Sequence, residues 1–255
     1  MSSAFKRKLA GEVPVVGTWV TLGDPSAMEI LAQAGFDFLL IDAEHAPVGD
    51  ETLRNLLIAG KGSGTELLVR VPWNDPIRIK IVLDLGADGV MVPMVNSAEE
   101  ARRAVAACKY PPEGSRSVGA WRPSRYYEDD RGYVMRANAE VAVLIQIEHI
   151  RAVEALGEIL RTPDIDAVFI GPADLTASLG LLPETRHPEV QAAIERIAAG
   201  CSSAGVPFGT DADTSDDVRR LAGLGARLFT TGIDTRFLGD AAAAAARLVR
   251  TALGS

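Results

Sequence analysis

The amino-acid sequence predicts an α/β fold, a TIM (β/α)8 barrel. Three observations carry that prediction. Short β-rich runs alternate with longer amphipathic ones. Eight such pairs fit into 255 residues. Several of the β runs are nearly continuous in apolar residues, as in a parallel sheet buried on both faces. A doubly wound open sheet is the alternative. Nothing reads as a linker, so residues 1–255 are expected to form a single barrel domain.

The strands and helices follow in order. Val13–Val20 precedes a helix over Pro25–Ala34, with Asp24 placed to cap it and Pro25 at its first position. Phe36–Asp42 and Asp50–Gly60 form the second pair, Glu66–Val71 and Pro76–Leu85 the third. In the fourth, Gly89–Val95 leads to Ser97–Cys108, where Ser97 and Glu100 are spaced as a capping box. Val141–Glu148 with Arg151–Leu160, Ala167–Gly171 with Ala173–Leu179, Pro207–Thr210 with Ser215–Leu224, and Leu228–Gly232 with Thr235–Leu253 complete the set. Ala34-Gly35, Leu85-Gly86 and Leu224-Gly225 mark helix ends. Two stretches break the rhythm. Tyr110–Asn138 is rich in Arg, Tyr and Pro, with a helical pattern over Arg131–Asn138. Leu181–Gly205 adds a proline-rich loop and a long helix, Pro188–Ala204. Long loops on a barrel usually serve function.

Composition narrows the function classes. A net charge of −8 argues against a nucleic-acid surface, which needs a concentrated basic face. No apolar run reaches the length of a membrane span, and the Met1–Leu9 stretch lacks the apolar core of a signal peptide. The two cysteines, Cys108 and Cys201, sit in helical patterns, so a disulfide framework is not expected and a reducing, cytoplasmic compartment is.

Barrel active sites form at the C-terminal strand ends. Polar residues there are Asp42, Glu44 and His45 after strand two, Arg70 on strand three, Gln146 and Glu148 on strand five, and Gly171-Pro172-Ala173-Asp174 after strand six. Gln146 and Glu148 are two apart and so share the face toward the axis. A carboxylate there needs a partner. Glu148 and Asp174 could share a divalent cation through hard oxygen ligands. Alternatively, Glu148 pairs with Arg70 and Asp174 caps a helix. His45, flanked by carboxylates, suits a general base or is an ordinary loop histidine. Arg70 fits a substrate carboxylate or an internal salt bridge to Glu148 or Asp42. The Gly171–Asp174 turn presents N–H groups to an anion or is a plain βα turn. His149 should point away from the axis, and His187 should cap the following helix. Trp19 and Trp121 could line the mouth, and Trp19 could equally be core. The five lysines, Lys6, Lys8, Lys61, Lys80 and Lys109, all avoid strand ends. Schiff-base aldolase chemistry needs a lysine in the barrel, so its absence leaves metal-assisted enolate chemistry.

Six stretches then carry a resemblance: GFDFLLIDAEHAP (35–47), VPWNDP (71–76), VMVPMV (90–95), KYPPEGSR (109–116), VLIQIE (143–148) and FIGPADL (169–175). Together they closely resemble the HpcH/HpaI-type class II pyruvate aldolases, the family of 4-hydroxy-2-oxoheptane-1,7-dioate, 2-keto-3-deoxy-sugar-acid and hydroxy-ketoacid aldolases. The resemblance runs from about residue 17 to 236.

It implies a barrel of the phosphoenolpyruvate/pyruvate type and reversible aldol chemistry between a pyruvate or hydroxypyruvate enolate and an aldehyde. Glu148 and Asp174 would hold Mg²⁺, Mn²⁺ or Co²⁺, with no organic cofactor. Gln146 would stand beside the metal. Arg70 and the Gly171, Pro172, Ala173 turn would bind the pyruvate carboxylate. His45, paired with Asp84, would be the base. Asp42, Glu44 and Trp19 would help position the substrates. The resemblance also implies a homo-oligomer, a hexamer built as a trimer of dimers, with the Trp121–Tyr127 loop contributing to a neighbour's site. Departures at His149, Ser117-Val118 and Arg122-Pro123 bear on the acceptor, not the chemistry. The rival expectations are a barrel lyase acting on an acyl-CoA or phosphoenolpyruvate-type substrate, and a non-catalytic 2-oxo-acid-binding barrel.

Overall fold

The computed structural model describes residues 3–11 and 13–254. Met1, Ser2, Glu12 and Ser255 lie outside them, including the first residues of the Met1–Leu9 stretch. The strands are β1 (Val15–Val20), β2 (Phe38–Asp42), β3 (Glu66–Arg70), β4 (Gly89–Val92), β5 (Ala142–Ile147), β6 (Ala167–Ile170), β7 (Phe208–Asp211) and β8 (Leu228–Ile233). They pair in parallel, in sequence order, and close on themselves. The predicted TIM barrel is therefore the observed fold.

Period-two alternation divides the core into two layers. Phe38, Leu40, Leu68, Met91, Leu144 and Phe169 fill the interior. Leu39, Ile41, Val69, Val90, Val143 and Val168 face out and pack beneath the helices. The same alternation puts Asp42, Arg70, Gln146 and Glu148 on the inward face above the apolar layers.

The helices are α1 (Ala4–Leu9), α2 (Pro25–Ala32), α3 (Asp50–Ala59), α4 (Pro76–Asp84), α5 (Ala98–Cys108), α6 (Asp130–Glu140), α7 (Ile150–Glu154), α8 (Leu156–Ile159), α9 (Pro172–Ser178), α10 (Pro188–Ala204), α11 (Ser215–Gly223) and α12 (Asp234–Ala252). The Asp24, Asp75 and Ser97 side chains accept backbone N–H bonds as caps. The single helix expected over Arg151–Leu160 is two short ones, divided at Ala155.

α1 had no sequence prediction. Its Phe5 and Leu9, one turn apart, enter the interior cluster, and Phe5 meets Phe38 edge-on at 5.6 Å. Lys6 pairs with Asp166 at 2.9 Å, just ahead of β6, so α1 closes the lower end of the barrel.

The long connection before α6 is pinned by two buried arginines. Arg116 lies over Tyr110 and bonds Asp84. Arg122 donates to the Leu85 and Leu57 carbonyls at 2.6 and 2.9 Å, satisfying the C-terminal ends of α4 and α3. Gly86 makes room for it: φ is +94°, and a Cβ there would lie 2.5 Å from Arg122 Nη1.

α12 departs from the usual outer ring. Asp234, at its start, accepts from Thr21 and Leu22. From Thr235 to Gly254 every residue is exposed, including Phe237, Leu238, Leu248 and Val249. No helix among the described residues is long and apolar enough to cross a membrane.

Candidate active site

The C-terminal strand ends surround a cavity of about 410 Å³ lined by Trp19, Asp42, His45, Arg70, Asp174 and Asp211, among others. Arg70 is its organising cation. Asp42 lies directly across the β2–β3 register and grips the guanidinium twice, Oδ1 from Nε at 3.0 Å and Oδ2 from Nη2 at 2.8 Å. The ring of Trp19 lies 4.3 Å from the guanidinium carbon. Of the two sequence alternatives, the internal salt bridge thus exists, to Asp42 and not to Glu148, while Arg70 still lines the cavity.

Asp42 also accepts from the N–H groups of Glu44 and His45 at 3.0 and 3.2 Å, which folds the loop after β2 over the mouth. Burial alone would raise the Asp42 carboxyl. Arg70's hydrogen bonds and charge, with those two N–H groups, hold it below the usual carboxylate range.

Glu148 is 3% exposed. Its Oε1 accepts from the Met94 N–H at 2.7 Å, and its Oε2 accepts from Gln146 Nε2. Met94 achieves this in a left-handed conformation, φ 54°, unusual for a residue with a side chain. Burial, then the charges of Glu44 and Asp174, push Glu148 up to about 7. Glu44 is likewise raised to about 7, by burial and by Asp42 and Asp174, against the pull of Arg70. Its Oε2 lies 3.2 Å from Arg70 Nε without a hydrogen bond. Gln146 Oε1 is buried with no partner.

Crowded carboxylates and an orphaned amide oxygen form an oxygen-donor set that a hard divalent cation suits. Among the described residues no three metal-ligating side chains cluster, so Glu148 and Asp174 would leave several coordination positions to substrate and water. Gly171 lets the set close up: a Cβ there would lie 2.8 Å from Glu148 Oε2 and from Gln146 Nε2.

The Gly171–Asp174 turn corrects one expectation. Gly171 N–H is spent on the Ile147 carbonyl at 3.2 Å, and Pro172 has none. Neither can present an N–H to an anion; Ala173 and Asp174 remain as the donors of the turn.

His45 stands at the mouth with its side chain 64% exposed, and Nε2 lies 3.8 Å from Glu44 Oε2. The pairing with Asp84 that the resemblance implied is not formed within the chain. α4 runs from the mouth toward the lower end, so its last residue, Asp84, sits away from the site. There it accepts from Arg116 at 2.6 Å. Trp121 packs on the core beside Tyr126 rather than at the mouth, whereas Trp19 does line it. His187 caps α10, as its position suggested, and His149 caps α7, a role its sequence position had not indicated.

Three contributors escaped the sequence reading. Asp211 extends β7 one residue past the expected end, and Asp213 and Arg236 stand on the rim. Continuing the β7 alternation would have found Asp211. No sequence signal marks Met94 as left-handed.

Comparison with known proteins places this geometry. Residues 16–241 match the family model described as HpcH/HpaI aldolase/citrate lyase. A 4-hydroxy-2-oxo-heptane-1,7-dioate aldolase from Salmonella dublin is 43% identical, over 96% of this chain and 94% of that protein. The crystal structure of a HpcH/HpaI aldolase/citrate lyase family protein from Burkholderia cenocepacia J2315 superposes with a TM-score of 0.93 at 38% identity, over 98% of this chain and 100% of the other. The citrate synthase SbnG superposes with a TM-score of 0.87 at 28% identity, over 98% of both chains.

Proposed function

The chain belongs to the HpcH/HpaI aldolase/citrate lyase family and is a carbon–carbon lyase, and from that premise we propose that it is a divalent-metal-dependent class II aldolase joining or parting a 2-oxo acid and an aldehyde. The observation that carries this reading is the buried Glu148, held by Met94 and Gln146 beside Asp174 and close to Arg70.

Glu148 and Asp174 would hold Mg²⁺, Mn²⁺ or Co²⁺. When bound, such an ion supplies Lewis acidity to the C2 carbonyl of pyruvate or hydroxypyruvate. Arg70, fixed by Asp42, binds the donor carboxylate and meets the negative charge that develops on the enolate. The N–H groups of Ala173 and Asp174 add to that carboxylate's site. His45 Nε2, which lies 3.8 Å from Glu44 Oε2, takes the proton from C3. The enolate C3 then bonds to the aldehyde carbon, and His45 gives its proton to the oxygen that becomes the C4 hydroxyl. In the cleavage direction His45 takes that hydroxyl proton as the C3–C4 bond breaks and the aldehyde leaves, and returns it to C3. Asp42, Glu44 and Trp19 order the acceptor side. This reading needs no organic cofactor, nucleic acid or membrane partner.

The test is solvent deuterium exchange at C3 of pyruvate. Exchange that EDTA abolishes and Mg²⁺, Mn²⁺ or Co²⁺ restores is the expected result. Exchange that survives exhaustive chelation contradicts metal dependence. A lyase for acyl-CoA or phosphoenolpyruvate-type substrates on the same barrel, or a 2-oxo-acid-binding barrel without catalysis, gives no exchange.

The assembly is a homo-oligomer in this proposal, a hexamer built as a trimer of dimers. The exposed apolar side chains of α12 support association, since solvent exposure of such a stripe is costly. A reducing, cytoplasmic setting suits the two buried free cysteines, whose thiols burial raises to about 12.

A further inference from the structure

Beyond the residues that serve the donor and the metal, the mouth has a second, differently built half. It is formed by β7, β8 and β1. Asp211 ends β7, directly across the register from Thr230 of β8. Two donors converge on one of its oxygens: Trp19 Nε1 reaches Oδ1 at 2.7 Å, and Thr230 Oγ1 reaches the same atom at 2.5 Å. Trp19 is itself stacked on Arg70. The carboxylate is therefore fixed in orientation by groups that belong to the site. Among the described residues, Oδ2 makes no hydrogen bond, and Asp211 is exposed to the cavity that Arg70 and Asp174 also line. A rigid acceptor facing a substrate cavity calls for a donor on the substrate.

The neighbouring charges say which donor. Asp213, on the same rim, accepts from the Gly232 N–H at 2.9 Å and lies 3.8 Å from Arg236. Asp213 thus has a cation beside it, whereas Asp211 has no ion-pair partner among the described residues, so its carboxylate disfavours a second carboxylate placed against it while a neutral hydroxyl can donate to it. Because β7 adjoins β6, whose turn carries Asp174, this acceptor lies beside the donor site.

Resting on the aldolase reading above, we propose that Asp211 is a specificity-determining residue. Its free oxygen accepts a hydrogen bond from a hydroxyl on the carbon chain beside the bond being made or broken. The enzyme thereby favours partners that carry such a hydroxyl and, among aldehydes, uncharged ones over carboxylated ones. The hydroxyl can belong to the donor, as in hydroxypyruvate, or to the acceptor, as in glyceraldehyde.

The experiment measures kcat/KM with Mn²⁺ for pyruvate or hydroxypyruvate against propionaldehyde, glyceraldehyde and succinic semialdehyde. Wild type is compared with Asp211→Leu and with Asp211→Asn, which retains an oxygen for Trp19 and Thr230. The expected result for Asp211→Leu is a loss of roughly ten- to a hundredfold on hydroxylated pairs, the usual worth of a hydrogen bond to a charged group. Pyruvate with propionaldehyde should change far less. Asp211→Asn should fall between, with its melting temperature unchanged. Loss confined to hydroxypyruvate puts the hydroxyl on the donor; loss confined to glyceraldehyde puts it on the acceptor. An equal loss on every pair, or an unchanged ranking, overturns the assignment. Pyruvate C3 exchange in wild type separates the two ideas. Normal exchange with an unchanged ranking sinks the Asp211 role alone, and no exchange sinks the aldolase reading with it.

Discussion

Asp42 and Arg70 face each other across adjacent strands and are joined by two hydrogen bonds, at 3.0 and 2.8 Å, in a place where both are almost fully buried. Neither charge is independent. Removing Asp42 takes away the carboxylate hydrogen-bonded to the buried guanidinium and leaves Glu44 beside it; breaking a buried pair typically costs about 3–5 kcal/mol. Asp42→Ala is therefore expected to lower stability by that order and to loosen Arg70. Asp42→Asn should be milder. Arg70→Lys keeps the charge but loses the paired geometry, and kcat should fall by roughly a hundredfold or more, with stability less affected. Urea denaturation together with steady-state kinetics separates the two effects.

Met94 predicts an unusual pattern of substitutions. Its left-handed backbone delivers an N–H to Glu148. Glycine accepts that conformation freely, so Met94→Gly should fold normally and retain metal-dependent activity. A β-branched side chain does not, and Met94→Ile is expected to cost about 1–2 kcal/mol and to weaken Mn²⁺ binding. Titration of Mn²⁺ into both variants checks this. Equal Mn²⁺ affinity in both would remove the backbone from the account of the site.

The raised Glu148 carboxyl links stability to pH. Folding lifts it from an ordinary value of 4.5 to about 7. Between those values the folded chain holds a proton that the unfolded chain has released. The resulting stability is complete below 4.5 and is lost as pH rises through 7, a change of about 3 kcal/mol. Glu44 acts in the same direction. In EDTA the melting temperature should therefore fall between pH 5 and pH 8. Saturating Mn²⁺, which favours the ionised carboxylate, should abolish the fall, and Glu148→Gln should make it shallower. A fall of the same steepness with and without Mn²⁺ would falsify a cation site at Glu148.

α12 predicts the state of assembly. Its apolar side chains Phe237, Leu238, Leu248 and Val249 remain exposed among the described residues. Replacing Leu238 and Leu248 together with Asp should shift the protein to smaller species by light scattering and leave the barrel's circular dichroism intact. The same oligomer in both proteins would show that α12 plays no part in association.

Much of the site was legible because a strand writes its geometry in steps of two. Gln146 and Glu148 share a face by that arithmetic alone, and the strand ends named Asp42, Arg70 and Asp174 without any contact being known. Asp211 was missed because an aspartate after an apolar run reads as a strand terminator, though here it is the last rung. The Asp84–Arg116 pair spans a loop whose path no local pattern encodes. α1 is too short to show a period, and its purpose becomes visible only when Phe5 meets Phe38. The exposure of α12 was equally hidden, since an amphipathic pattern shows that a face needs covering but not what covers it.

Phe5 and Leu9 cap the lower end of an interior already packed with side chains, and the substrate-sized cavity lies at the opposite, C-terminal mouth. His45 and Trp19 line the cavity at that mouth. On the aldolase proposal, a 2-oxo acid seated beside Arg70 and an aldehyde seated nearer the rim share this mouth, so initial-rate kinetics are expected to show the 2-oxo acid binding first and excess aldehyde inhibiting.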